Sequence, residues 1–237
     1  MAVRKAKNIS AISKENFHKR LAEMIDNKNN YISIVDQLHV YIAKGNSKTG
    51  DEVPSVSLIP VYNCANCKAC SGLCYDLRND CCYPGCRNKR SVNAAILEAD
   101  PDRYFREISA AASKQKFMRW HVGGDIVDAA YLNNMIDVAE QNPHCLFLVF
   151  TKCFDIVNEY LDTKAFPDNL KLLFSAWPGQ EMNNRHNLPT SHPLFADGTT
   201  TAHDGAFMCT GNCTECAKTG AGCWALKKGE EVVFPAH

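Results

Sequence analysis

The sequence predicts an α/β fold: a partial parallel (β/α) barrel or open parallel sheet, with an N-terminal helical segment and a cysteine-rich C-terminal lobe. Three observations carry this. Strand-like apolar runs alternate with stretches of helical periodicity, the pattern of a parallel sheet with crossover helices. Two of the runs, residues 145–150 (CLFLVF) and 170–176 (LKLLFSA), are apolar almost throughout, as strands buried on both faces are. Of 13 cysteines, seven fall between Cys64 and Cys86 and four between Cys209 and Cys223, which sets a cysteine-rich lobe apart from the core.

Three segments follow in order: 1–44, 45–180 and 181–237. In the first, Leu21, Met24 and Ile25 keep helical spacing after Phe17, and a second apolar stretch runs from Ile32 to Ile42. A structural cap or an oligomer contact is the role that fits it. Residues 45–50 (GNSKTG) are a turn-rich break. Residues 53–62 have strand content, cut to a short or edge element by Pro54 and Pro60. After the first cysteine group, residues 91–99 read as helix. Asp100-Pro101 then supplies an N-cap and a first-turn proline for a helix reaching about residue 115. Residues 117–122 form a strand closed by Gly123-Gly124-Asp125, and 128–141 a helix with Leu132, Ile136 and Ala139 on one face. The strand at 145–150, a helix at 154–161 and the strand at 170–176 complete the core. Trp177-Pro178-Gly179 ends it. Residues 180–206 lack periodicity and read as a long loop holding His186, His192 and His203.

Composition excludes several classes. Lysine plus arginine and aspartate plus glutamate both number 26, so a broad basic field for nucleic acid is disfavoured, though a local patch stays open. No run of about 18 apolar residues exists to span a membrane. The first residues have no apolar stretch or cleavage site of a secretory signal. A cytoplasmic, thiol-reducing setting is therefore expected, where clustered cysteines bind metal or iron–sulfur groups rather than pair as disulfides.

Cys64, Cys67, Cys70 and Cys74 follow C-x2-C-x2-C-x3-C, the ligand run of bacterial-type ferredoxins without its closing proline. Zinc more usually takes two separated C-x2-C pairs, and remains the alternative. Cys81, Cys82 and Cys86 are left for another metal or a structural role. Cys209, Cys213, Cys216 and Cys223 form a complete four-thiolate set, suited to a closed site: structural zinc or an electron-transfer cluster. A 4Fe–4S cluster held by only three cysteines would instead leave one iron open to a ligand.

The first cysteine group, Gly123-Gly124-Asp125, Thr151-Lys152 and Trp177 all fall in loops after strands, where α/β folds build their sites. Asp125 is a candidate for a cofactor amine, or a cap of the following helix. Lys152 suits a carboxylate or phosphate, or simply solvent. Asp125 and Lys152 are the candidate catalytic residues; Gly123, Gly124 and Asp125 the candidate cofactor-binding ones. Arg119 and His121 alternate along one strand and can share a face. Trp177 can stack a purine or pack locally. Cys145 and Cys153 suit a buried, inert role.

The pieces GNSKTG (45–50), SLIPVYNC (57–64), CSGLCYD (70–76), RWHVGGDIVDAAYL (119–132), VFTK (149–152) and WPG (177–179), with the tail CTECAKTGAGCW and VVFPAH, resemble the phage and prophage gene product eighty-eight family over roughly residues 45–237. A more distant likeness is to radical S-adenosylmethionine (SAM) enzymes, which carry a three-cysteine loop after the first strand and a Gly-Gly-Glu-Pro turn after the second. That resemblance implies cluster ligation by Cys64, Cys70 and Cys74, and contact of Gly123–Asp125 with the methionyl amino group of SAM. It also implies a flavodoxin- or ferredoxin-type reductant and an oxidoreductase or transferase activity. The chain departs from the usual C-x3-C-x2-C spacing, and Cys67 offers a fourth ligand that would close the cluster.

Overall fold

A computed structural model describes residues 13–45, 50, 52–66 and 69–236. Cys67 and most of the 45–50 break lie outside the described residues, as does the side chain of Cys81. Eight strands make one open sheet: β1 (Ile42–Ala43), β2 (Ser55–Val56), β3 (Phe117–Trp120), β4 (Leu146–Thr151), β5 (Leu170–Ser175), β6 (Thr190–Leu194), β7 (Phe207–Met208) and β8 (Glu231–Pro235). Their spatial order is β1-β2-β3-β4-β5-β6-β8-β7. Only the β1–β2 pair is antiparallel. The sheet is therefore mostly parallel, and it does not close into a barrel. It draws strands from all three sequence segments.

From β2 to β6 the spatial order is the chain order. Right-handed crossovers that always advance the same way place their helices on one face. The helices are α1 (Lys14–Ile32), α2 (Tyr75–Cys82), α3 (Pro84–Ala99), α4 (Pro101–Ala112), α5 (Ala129–Gln141), α6 (Phe154–Leu161) and α7 (Cys213–Thr219). Leu77, Ile96, Ile108, Leu132 and Val157 from α2–α6 share a core with Met118, Trp120, Phe147, Val149, Leu172 and Phe174 of the strands. Alternate strand residues turn the other way. Leu148, Leu173 and Val232, with Phe117 and Phe150 beside them, pack against Ala217, Trp224 and the four C-terminal cysteines. The cysteine-rich lobe thus covers the face that the helices leave bare. The N-terminal segment is docked on the helix layer, where Ser91 Oγ donates to the Met24 carbonyl at 3.0 Å.

Local signals account for the element ends. Asp100 accepts a hydrogen bond from the Arg103 amide at 2.9 Å and Pro101 opens α4. The helix α5 starts at Ala129 with Asp128 as its cap, so Asp125 is not a helix cap. Residues 53–62 shorten to β2, as their prolines require. The expected loop at 180–206 contains β6. Thr190 and Ser191 pair with both β5 and β8, whereas Pro193 has a neighbour only in β8, so its missing N–H faces a side with no strand. No described helix is long and apolar enough to cross a membrane.

Candidate functional site

The first cysteine loop is stitched to the ends of β3 and β4. Leu58 N donates to Gly123 O at 2.9 Å, and Asp125 N to Asn63 O at 2.8 Å. Asn66 Nδ2 donates to Lys152 O at 2.7 Å, and the Tyr75 hydroxyl to Val122 O at 2.7 Å. The loop that carries Cys64, Cys70 and Cys74 therefore lies at the C-terminal edge of the parallel strands, where such folds bind ligands. These three thiols are half-buried, while Cys82 and Cys86 are exposed. Val61 N donates to Cys64 Sγ at 3.3 Å and Leu77 N to Cys74 Sγ at 3.5 Å. Burial pushes the Cys74 thiol up to about 12, with the Asp76 carboxylate adding to the shift.

The twin glycines answer to their own chain. A Cβ on Gly123 would stand 1.8 Å from Asp76 Oδ2. Gly124 has φ +81°, and a Cβ there would meet Leu58 Cβ at 2.7 Å. Asp125 is buried. Its Oδ1 accepts from Ile126 N at 2.7 Å and Thr151 Oγ1 at 2.6 Å, and its Oδ2 from Lys152 N at 2.9 Å. Burial raises its pKa, and these donors oppose the rise. Lys152 Nζ reaches Ser175 Oγ at 3.2 Å and lies 5.8 Å from the centre of the Trp177 ring. The carboxylate of Asp125 and the ammonium of Lys152 thus stand on neighbouring loops, with the first tied to the backbone of the second.

Sequence reasoning missed a buried charge group beside this loop. Arg90 bonds Asp76 Oδ1 and Asp80 Oδ1, each at 2.6 Å, and the Oδ2 atoms of both aspartates lack a partner. Burial lifts Asp76 to about 7 against the pull of Arg90. The four-residue spacing of Asp76 and Asp80, which puts both on one face of α2, was the available signal.

The C-terminal cysteines converge on the other face of the sheet. Cys209 N donates to Val233 O at 2.9 Å, which continues β7 alongside β8. Asn212 caps α7 through the Glu215 amide, and Gly220 ends it in the left-handed region. Gly211 N donates to Cys209 Sγ at 3.4 Å, and Thr210 Oγ1 lies 3.6 Å from Cys216 Sγ. Gly222 has φ +56°, and a Cβ there would stand 3.0 Å from Cys216 Sγ. Burial raises the Cys209 and Cys223 thiols; Cys213 and Cys216 raise them further, and Arg119 of β3 pulls both back. The four half-buried thiols thus stand in each other's field, with one backbone amide donating to a sulfur. Among the described residues, no three His, Cys, Asp or Glu side chains are grouped so that they could hold a metal ion, and every described cysteine is a free thiol.

The remaining candidates separate. Positive φ (+54°) at His121 breaks the strand alternation and turns the ring into the helix-side core, away from Arg119, so the two do not share a face. His121 Nε2 lies 2.9 Å from the Tyr131 hydroxyl, and burial lowers its pKa to about 3. Cys145 and Cys153 are buried; the Cys153 thiol donates to Ile126 O at 3.0 Å. His192 is not a surface loop residue: it lies within β6, between the Thr190 and Thr201 hydroxyls at 2.8 Å each. His203 bonds Glu231 at 2.8 Å, and His186 lies 2.9 Å from Asp162. Trp177 packs edge-on against Phe195 at 5.8 Å and lines a cavity of about 260 Å³ with Gln180, His192 and Glu231.

Comparison with known proteins adds one finding. A family described as Gene product 88 matches residues 27–194. No curated protein and no solved structure matches the chain.

Proposed function

We propose that this chain, which belongs to the gene product 88 family, is an iron–sulfur protein acting as a radical-SAM-like enzyme. The observation that supports this best is the stitching of the first cysteine loop to the Gly123–Asp125 turn and to Lys152 at the C-terminal edge of the sheet. Cys64, Cys70 and Cys74 would hold a 4Fe–4S cluster, and the C-terminal four cysteines a second cluster or a zinc ion. With one iron open, such a cluster supplies reductive cleavage of bound S-adenosylmethionine, fed by a flavodoxin- or ferredoxin-type reductant.

The chain's own residues would do the rest. The Val61 and Leu77 amides support the Cys64 and Cys74 sulfurs. Asp125 fixes the Lys152 backbone through its 2.9 Å bond. Lys152 presents a cation, next to Ser175 and Trp177, for a carboxylate or phosphate. A second reading, a non-catalytic electron-transfer or sensor protein with closed clusters, is favoured by one fact. The Asp125 carboxylate already accepts three donors from its own chain.

An anaerobic preparation of the full chain tests both, by iron, sulfide and zinc analysis and by EPR of the reduced protein. The enzyme reading expects iron and sulfide, and an EPR signal that changes on adding S-adenosylmethionine. The Cys70→Ala variant should lose the first cluster, and Cys67→Ala should keep it. An unmoved signal with loss of the cluster in Cys67→Ala favours the closed-cluster reading. Zinc at both sites without iron overturns both.

A further inference from the structure

We propose that Arg119 is the counter-charge of the group held by Cys209, Cys213, Cys216 and Cys223 and sets its reduction potential. This rests on the iron–sulfur reading of that set. Met118 and Trp120, its neighbours in β3, are buried in the helix-side core, so Arg119 projects to the opposite face. There its guanidinium lies 4.8 Å from the centre of the Phe150 ring, and its Nε is sealed from solvent without a hydrogen-bond partner.

Arg119 is half-buried, and a cation partly withdrawn from water against an aromatic ring costs free energy unless an opposite charge stands close. Asp76 is within its field but is already bonded to Arg90 at 2.6 Å. The other groups in its field are Tyr75, the neutral His121 and, across the sheet face, Cys209 and Cys223; the Phe150 ring beneath its guanidinium packs in the same cluster as all four C-terminal cysteines. Thiols give no charge, whereas four thiolates on an oxidised 4Fe–4S core leave a net charge of about −2. Ligation would therefore create the anion that Arg119 lacks. A fixed positive charge favours the more negative, reduced state, so it raises the potential.

The test uses the full chain in a Cys70→Ala background, so that the C-terminal group alone is titrated. Dithionite supplies the single electron that reduces it, and EPR follows the midpoint. Arg119→Gln should shift the midpoint to lower potential with iron content unchanged, while Arg119→Lys should stay at the parent value. A parent midpoint in Arg119→Gln with full iron overturns the proposal and leaves the cluster reading standing. If Arg119→Gln fails to load, Arg119→Lys decides: loading at the parent midpoint supports the counter-charge, and failure in both overturns it. A parent without iron at these cysteines overturns the cluster reading itself.

Discussion

The two faces of the sheet are built alike and used differently. On the helix side, Trp120, Tyr104, Phe105, Tyr131 and Phe147 pack ring against ring, and the one histidine among them is bonded to a tyrosine and held neutral. On the other side, aromatic residues still line the strands, but what they meet is Trp224 and four thiols, with Arg119 in between. The helix face is closed by packed rings; the opposite face seats four half-buried free thiols. Neighbouring residues of β3 mark the division, with Trp120 fully buried on one side and Arg119 without a bonded anion on the other.

Substitutions on each side should break this division in different ways. Trp120→Ala opens the helix core and should cost about 3–5 kcal/mol. Denaturant unfolding would show a lower midpoint, while any metal that the proposed sites hold per folded chain stays unchanged. Trp224→Ala should cost about 3 kcal/mol; on the proposed cluster reading it should also release the C-terminal group, with the first loop keeping its own. Equal loss of metal from both sets would refute the separation. Within about one pH unit of its ordinary pKa, His121 gives a smaller effect, which grows with acidity. Its pKa is lowered from 6.5 to about 3 in the fold, so both states are neutral above about pH 6.5. As pH falls below that, only the unfolded chain gains a proton, and stability should drop by up to about 1.4 kcal/mol per pH unit until about pH 3. The difference in slope between parent and His121→Gln measures it; parallel slopes would mean that the ring is not held neutral. Smallest is Asp128→Ala, which removes the α5 cap at Tyr131 N and should cost about 1 kcal/mol.

What could be read from sequence follows from how local its cause is. The helix at 154–161 and the Asp100 cap are set by neighbours within one turn, and both are found where the pattern puts them. The buried strands at 145–150 and 170–176 are legible because both faces are covered, leaving an unbroken apolar run. The strand β6 was hidden because Thr-Ser-His-Pro-Leu has neither alternation nor a clean run, and its proline is tolerated only by the offset of β5 and β8. His121 was misplaced because a period of two assumes extended backbone, and its φ is positive. That the first cysteine loop and the turns after β3 and β4 share one edge of the sheet was legible from strand order. The partners of Asp125 were not, since they come from Thr151 and Lys152 at the end of the next strand.

The place of β8 in the sheet has a kinetic consequence. Strands β2 to β5 pair in the order in which they occur along the chain, so their sequence separations stay moderate and they can assemble early. β8 comes later in the chain than β6 and β7 yet sits between them. Until it slots in, Cys209 lacks its carbonyl partner on Val233, and Val232 is missing from the seat of Trp224. Docking of β8 is therefore the step that brings the C-terminal thiols to their seat, and the rate at which it docks sets how long they stay open to oxidants.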